Sequence, residues 1–94
     1  MRLTDICHIK TDFAEADFWI IRRGSLSQVG KPVRDFSKYH FGIKVIREDL
    51  LIPDFLFYCF VDLHQSGEFE ALAKGTLKLQ HITLEDIDRR LNFL

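Results

Sequence analysis

A helical pattern in the second half of the chain constrains the fold most strongly. Pro53 suits the first turn of a helix, where its missing N–H would have no partner. The apolar residues that follow recur at helical spacing: Phe55, Leu56, Cys59, Phe60 and Leu63. We therefore predict a helix from about residue 53 to residue 65, before Gly67. Its wide apolar stripe is typical of a buried face or of a surface that binds a partner.

Two shorter helices are predicted after this one. The first covers residues 69–73, and an extended segment over residues 77–81 follows it. Thr83 is a favourable N-cap for a last helix over residues 84–90, and Asp86 stands at the N3 position of a capping box.

The strand patterns lie mainly in the first half of the chain. Residues 17–23 are aromatic and β-branched and end at a glycine, and residues 40–46 alternate apolar with other side chains. Residues 24–39, between these two strands, predict a long loop rich in turn-forming residues. Weaker patterns favour a strand over residues 1–10 and the start of another at residues 91–94.

The chain has 94 residues, of which 47% are apolar, and this predicts one folded domain over residues 1–94. The expected fold class is α+β, with a small mixed sheet and two or three short helices. Cys7 and Cys59 lack metal-ligand spacing and are expected to be free thiols in a reducing compartment. No N-terminal leader pattern and no membrane-spanning apolar run is present, so we expect a cytoplasmic location.

Charge is unevenly distributed along a chain whose net charge is only −1. Residues 22–47 contain seven basic residues and one acidic residue, whereas residues 48–94 contain four basic and nine acidic residues. A segregation of this kind favours either a local positive patch or a loop whose cations pair with the acidic half.

The positive-patch interpretation makes the loop region a candidate nucleic-acid interface. Flexible cations and exposed backbone N–H groups bind phosphates, and Arg, Lys, Gln and Ser side chains can contact base edges. The candidate DNA-binding residues are Arg22, Arg23, Ser25, Gln28, Lys31, Arg34 and Lys38, with Thr76 and Lys78 from a second turn.

Motifs of common enzymes are absent, and we predict a protein that is not an enzyme and has no cofactor or metal site. A small nuclease remains an alternative if His40, His64 or His81 lies beside an acidic residue.

Five segments occur in an order that resembles the target recognition domain of type I restriction-modification DNA specificity subunits. Asp17–Gly24 resembles a strand and its Arg-x-Gly turn, and Gly30–Pro32 resembles the next glycine turn. Residues 40–46 look like the following strand, and Ile52–Tyr58 is similar to the start of that family's helix. Gly75-Thr76, followed by residues 82–87, resembles the end of the domain.

The resemblance covers about residues 17–90 and implies double-stranded DNA as the ligand, with methyltransferase or restriction subunits as protein partners. Recognition subunits of that family catalyse nothing. This chain is shorter than a full recognition domain and lacks the family's long helices. We therefore expect a stand-alone version of the domain, such as a phage or mobile-element protein could be. A protein-interaction module is the main alternative, either a homodimer or an inhibitor of a DNA-processing or restriction complex.

Overall fold

Antiparallel pairing joins short strands into two sheets, and three α-helices complete the described part of the chain. The computed structural model describes residues 2–76 and 79–90. The strands are β1 (Cys7–Lys10), β2 (Phe18–Ile20), β3 (Arg23–Gly24), β4 (Pro32–Val33), β5 (Phe41–Val45), β6 (Lys74–Gly75) and β7 (Gln80–His81); the helices are α1 (Pro53–Gln65), α2 (Glu68–Leu72) and α3 (Leu84–Arg90). The predicted α+β class is confirmed.

The larger sheet has the strand order β1-β5-β2-β4 and packs one face against helix α1. Phe18 lies opposite Ile43, and Ile20 lies opposite Phe41. Directly opposed residues of an antiparallel pair project from the same face, so these side chains form one apolar layer. The Phe60 ring of α1 lies 6.0 Å from the Phe18 ring and covers this layer.

Helix α1 has the predicted bounds, but its apolar stripe divides into two parts. Leu56 and Phe60 are fully buried, whereas Phe55 and Tyr58 are more than half exposed. The helix therefore contributes to the core along one line and presents aromatic side chains along another.

The aromatic strand predicted early in the chain is in fact two strands, β2 and β3, which belong to different sheets. The chain leaves the larger sheet at Ile21, whose N–H donates to the Lys31 carbonyl and whose carbonyl accepts from Gly30. The next carbonyl, that of Arg22, accepts a hydrogen bond from Ile82, close to where β3 pairs with β7. These long-range hydrogen bonds override the local strand pattern.

The long loop predicted over residues 24–39 is interrupted by β4, which pairs with β2. Residues 25–28 are exposed, but residues 29 and 30 are packed into the molecule, and Val29 is fully buried. Gly30 has φ +84° and lies directly against the Phe69 ring of α2, where an added Cβ would be only 2.3 Å from ring carbons. Backbone conformation and lack of space both require glycine at this position.

The N-terminal segment differs in part from the predicted strand over residues 1–10. A 3-10 helix, Leu3–Asp5, precedes β1. The buried Asp88 carboxylate of α3 accepts a 3.0 Å hydrogen bond from the Thr4 N–H and attaches this helix to the domain.

Burial, together with the charge of Asp17, raises the pKa of the Cys7 thiol to about 12.

The last helix confirms the predicted capping box. Asp86 N–H donates to the Thr83 hydroxyl at 3.2 Å, and Thr83 N–H donates to the Asp86 carboxylate at 2.9 Å. Partial burial opposes ionisation of Asp86, but hydrogen bonds from Thr83 and the Lys74 ammonium outweigh it and lower the pKa. Of the extended segment predicted over residues 77–81, residues 77–78 lie outside the described residues. The strand predicted at residues 91–94 also lies outside them.

Within the described ranges, no helix is both long enough and apolar enough to cross a lipid bilayer.

Replacing Gly30 with alanine should destabilise the domain more than the same change at Gly67. Both glycines have positive φ, but only Gly30 is in contact with a ring, since the nearest atom to a Cβ at Gly67 is 3.9 Å away. Left-handed strain costs each variant about 1–2 kcal/mol, and overpacking against Phe69 adds roughly 1–3 kcal/mol for Gly30→Ala. Urea denaturation measures both values, and equal losses would show that the contact with Phe69 is unimportant.

Candidate nucleic-acid interface

The seven cations of residues 22–47 separate into a paired group and an unpaired group. Arg34, Lys44 and Arg47 form ion pairs with Asp54, Asp17 and Asp49, at 3.1, 3.6 and 2.8 Å respectively. The unpaired group has no carboxylate at ion-pair distance anywhere in the described chain and consists of Arg22, Arg23, Lys31 and Lys38. Pairing with the acidic half therefore holds for Arg34 and Arg47, whereas Lys44 pairs with Asp17. The positive patch stays a prediction, which the four unpaired cations leave open.

Arg22 and Lys38 are brought together although they are distant in the sequence. The Arg22 Nε–H donates a 3.0 Å hydrogen bond to the Tyr39 carbonyl, and its guanidinium lies 5.7 Å from the Phe41 ring centroid. Lys38 directly precedes Tyr39, and its Nζ lies 5.3 Å from the exposed Tyr39 ring. Arg22 thus contacts the backbone of Tyr39, and Lys38 contacts its exposed ring, which the sequence analysis did not select.

The turn after β3 holds Ser25, Gln28 and Lys31, whose side chains are exposed. The Ser25 carbonyl accepts hydrogen bonds from Gln28 and Val29, and the Gln28 carbonyl accepts one from Lys31. The expectation of exposed backbone N–H groups is therefore wrong for residues 28–31, whose N–H groups are all used within the loop and with Ile21. Because Val29 is fully buried and Gly30 has no side chain, only the side chains of Gln28 and Lys31 are available to bind a phosphate here.

A side chain of helix α1 contacts the backbone of this turn. His64 Nε2 lies 2.8 Å from the Ser27 carbonyl oxygen. The Ser25 and Ser27 hydroxyls are 3.3 Å apart and can hydrogen-bond to each other. The candidate residues of the turn are therefore presented on an ordered backbone and not on a flexible loop.

The smaller sheet, of order β3-β7-β6, brings the second predicted turn beside the first. Gly24 and Gly75 both lie opposite Gln80, so Ser25 and Thr76 follow at the same end of this sheet. Thr76 is exposed and exchanges two backbone hydrogen bonds with Leu79. Lys78, the other candidate of this turn, lies outside the described residues.

Arg34 differs from the other candidate residues because its guanidinium group contacts helix α1. Its guanidinium lies 3.9 Å from the Phe57 ring centroid and donates to the Asp54 carboxylate at 3.1 Å. Both contacts join the end of β4 to the first turns of α1. A DNA phosphate would have to compete with Asp54 for this cation.

The histidines have different surroundings. Burial, together with the charge of Arg22, lowers the pKa of His40, and its buried Nδ1 has no hydrogen-bond partner in the described chain. His81 lies in β7 opposite Arg23 and Lys74. No group of three or more His, Cys, Asp or Glu side chains among the described residues is arranged to hold a metal ion.

Three basic side chains on the larger sheet were missed by the sequence analysis. His8, Lys10 and Lys44 line one pocket on the face that points away from α1. The alternation along β1 is the pattern that could have identified His8 and Lys10 as neighbours.

A comparison with protein-family models gave no match, and no curated protein and no solved structure matched the chain either.

The imidazole of His40 should titrate below the usual range of histidine. Its folded-state pKa is lowered, so the unfolded chain binds a proton that the folded chain does not bind. The stability that neutral His40 contributes is therefore complete above the usual histidine pKa and is lost as the pH falls from there through the lower folded-state pKa. NMR titration of the ring protons measures this directly, and Arg22→Gln should raise the value because it removes one of the two causes. Titration of His40 at or above the usual range would contradict the prediction.

Proposed function

We propose that this chain is a non-catalytic, cytoplasmic DNA-binding module. The observation that supports this most strongly is the unpaired group, four cations within residues 22–38 that lack carboxylate partners in the described structure. The other three cations of residues 22–47 are less available to a ligand because each forms an ion pair with an aspartate. A polyanion would supply the negative charge that the unpaired group lacks.

Contacts with DNA phosphates account for most of the expected affinity. If all four cations of the unpaired group each contact one phosphate, the logarithm of the binding constant should fall with the logarithm of salt concentration with a slope of roughly −3 to −4. Such contacts position a protein on DNA without selecting a sequence.

Sequence selection would depend on few groups. Ser25, Gln28 and Thr76 are exposed polar side chains that lie at or near one end of the smaller sheet and can reach base edges. Tyr39, 62% exposed and adjacent to Lys38, has a hydroxyl that could hydrogen-bond to a backbone phosphate of the duplex. The ordered turn would present these groups with little loss of conformational entropy on binding.

The resemblance to specificity-subunit recognition domains supports the same ligand. It favours double-stranded DNA over RNA and suggests that methyltransferase or restriction subunits bind the same module. The segments that carry the resemblance include the β2-to-β3 region and the turn at Thr76, which adjoin the candidate residues.

Arg23→Ala should weaken DNA binding several-fold and make the salt slope less steep by about 1, because one phosphate contact is lost. Arg89→Ala is the matched control: it removes the same charge from α3, where Arg89 is paired with Glu85 at 2.6 Å. Fluorescence anisotropy with a random duplex at two or more salt concentrations measures both quantities.

The double variant Arg23→Ala/Lys31→Ala should reduce the slope by about 2. Equal effects of Arg23→Ala and Arg89→Ala would mean that net charge and not this surface controls binding. Absence of binding at low salt would reject the proposed function.

A protein-interaction module is the second candidate, and exposed apolar side chains at the start of α1 favour it. Ile52, Phe55 and Tyr58 are 65%, 58% and 63% exposed and recur every three residues. Phe55 and Tyr58 lie on one side of α1 because they are three residues apart, and Ile52 directly precedes the helix. The three side chains can therefore form a single contact surface.

If this surface mediates self-association, Phe55→Ser should shift the protein from dimer to monomer. Leu84→Ser, which changes an exposed apolar residue at the start of α3, is the control and should leave the mass unchanged. Sedimentation equilibrium measures the mass of both variants, and a monomeric parent protein would remove the homodimer from consideration.

A further inference from the structure

An open pocket of about 380 Å³ lies on the outward face of the larger sheet. Its lining consists of three residues of β1, one residue of the turn that follows β1 and one residue of β5: His8, Ile9, Lys10, Phe13 and Lys44. None of these belongs to the surface proposed to contact DNA.

Strand register brings the basic side chains together. His8 lies directly opposite Lys44, and Lys10 lies opposite Gly42. Lys10 and Lys44 are therefore diagonal neighbours on one face, a relation in which long side chains reach each other. The β1 and β5 backbones fix this arrangement, so the stems of the two lysines start from ordered positions.

Gly42 makes the wall of the pocket possible. A Cβ at this position would lie 2.7 Å from the Phe13 Cβ and 2.9 Å from the Ala16 Cβ, so only glycine allows this turn to pack on the sheet. Trp19 Nε1–H donates a 2.9 Å hydrogen bond to the Phe13 carbonyl and holds the turn in place. The buried Phe13 ring is thus a fixed apolar side of the pocket.

Positive charge in the pocket is only partly compensated. Lys44 forms a 3.6 Å ion pair with Asp17, whose carboxylate also accepts a 2.8 Å hydrogen bond from the Val45 N–H. Lys10 has no carboxylate partner in the described chain, and its Nζ lies 4.7 Å from the Phe13 ring centroid. Cations placed side by side on a sheet repel each other, and an anion bound between them would remove that repulsion.

We propose that this pocket binds a phosphate group, held by the ammonium groups of Lys10 and Lys44 with the His8 imidazole beside them. Lysine ammonium groups bind phosphate as point charges with several donors, and a tetrahedral anion offers oxygens to both. The volume exceeds that of the anion alone, so the phosphate would be carried on a larger molecule. The Phe13 side would contact the uncharged part of that molecule.

The phosphate has two possible sources, a small phosphorylated compound such as a nucleotide or the backbone of DNA. The Lys38 carbonyl accepts a 3.0 Å hydrogen bond from the Asp12 N–H, which connects the proposed DNA surface to the turn that carries Phe13. A DNA backbone could therefore pass from Lys38 to the pocket. The DNA source rests on the proposed function, whereas the small-molecule source does not.

The test is a ¹H–¹⁵N NMR titration of the full chain with three separate probes: inorganic phosphate, adenosine monophosphate and a short random duplex. We expect at least one probe to shift the amides of β1 and β5. Lys10→Met keeps the apolar stem and removes the charge, and it should weaken that binding by about tenfold or more, since a charge-assisted contact is lost. Lys31→Met is the matched control from the proposed DNA surface and should leave the shifts that the two small probes cause in the β1 and β5 amides unchanged.

The outcomes separate the two proposals. Binding of phosphate or adenosine monophosphate that depends on Lys10 supports the pocket even if the duplex does not bind and the proposed function fails. Binding of the duplex alone, weakened by Lys10→Met, supports the pocket with the DNA backbone as the source. If no probe shifts the pocket amides, or if Lys10→Met binds every probe as the parent does, the pocket proposal is overturned, even where Arg23 and Lys31 still control DNA binding.

Discussion

The ring of Phe60 in α1 lies between two other phenylalanine rings, and this packing positions α1 between the larger sheet and α2. Its centroid is 6.0 Å from that of Phe18 in the sheet and 6.1 Å from that of Phe69 in α2, with which it is stacked. All three rings are fully buried, and each contributes about 1.5–3 kcal/mol through removal of apolar area from water. Phe69 in turn leaves no room for a side chain at Gly30. The position of the turn that holds Ser25, Gln28 and Lys31 therefore depends on the packing of Gly30 against the Phe69 ring.

Local patterns predicted the helices well, because their determinants are close in sequence. Pro53 and the apolar spacing set α1, and the side chains of Thr83 and Asp86 set the start of α3 through contacts three residues apart. The division of the aromatic strand between two sheets was not predictable in this way. It depends on the hydrogen bond between Arg22 and Ile82, sixty residues apart, and no local propensity encodes it.

The candidate site shows the same limit. Segregation of charge identified the segment that is rich in cations, but the separation of these cations into paired and unpaired groups depends on tertiary structure. Arg34 meets Asp54 only because β4 ends beside α1, and Lys44 meets Asp17 because β5 pairs with β2. Lys10 was overlooked because its neighbours in the pocket are set by strand register, and register cannot be read from a short strand with a weak pattern.

The hydrogen bonds within the turn that holds Ser25, Gln28 and Lys31 limit how this turn could bind DNA. The N–H groups of residues 28–31 are already bonded within the protein, so the turn cannot cradle a phosphate with its backbone there. Contacts must then come from side chains, and lysine and arginine contacts with phosphates distinguish poorly between sequences. Ser25 and Gln28 are the polar groups of the turn that could add selectivity. On the proposed function, a module built in this way would bind DNA mainly through charge, and high sequence specificity would require a second contact surface or a second protein.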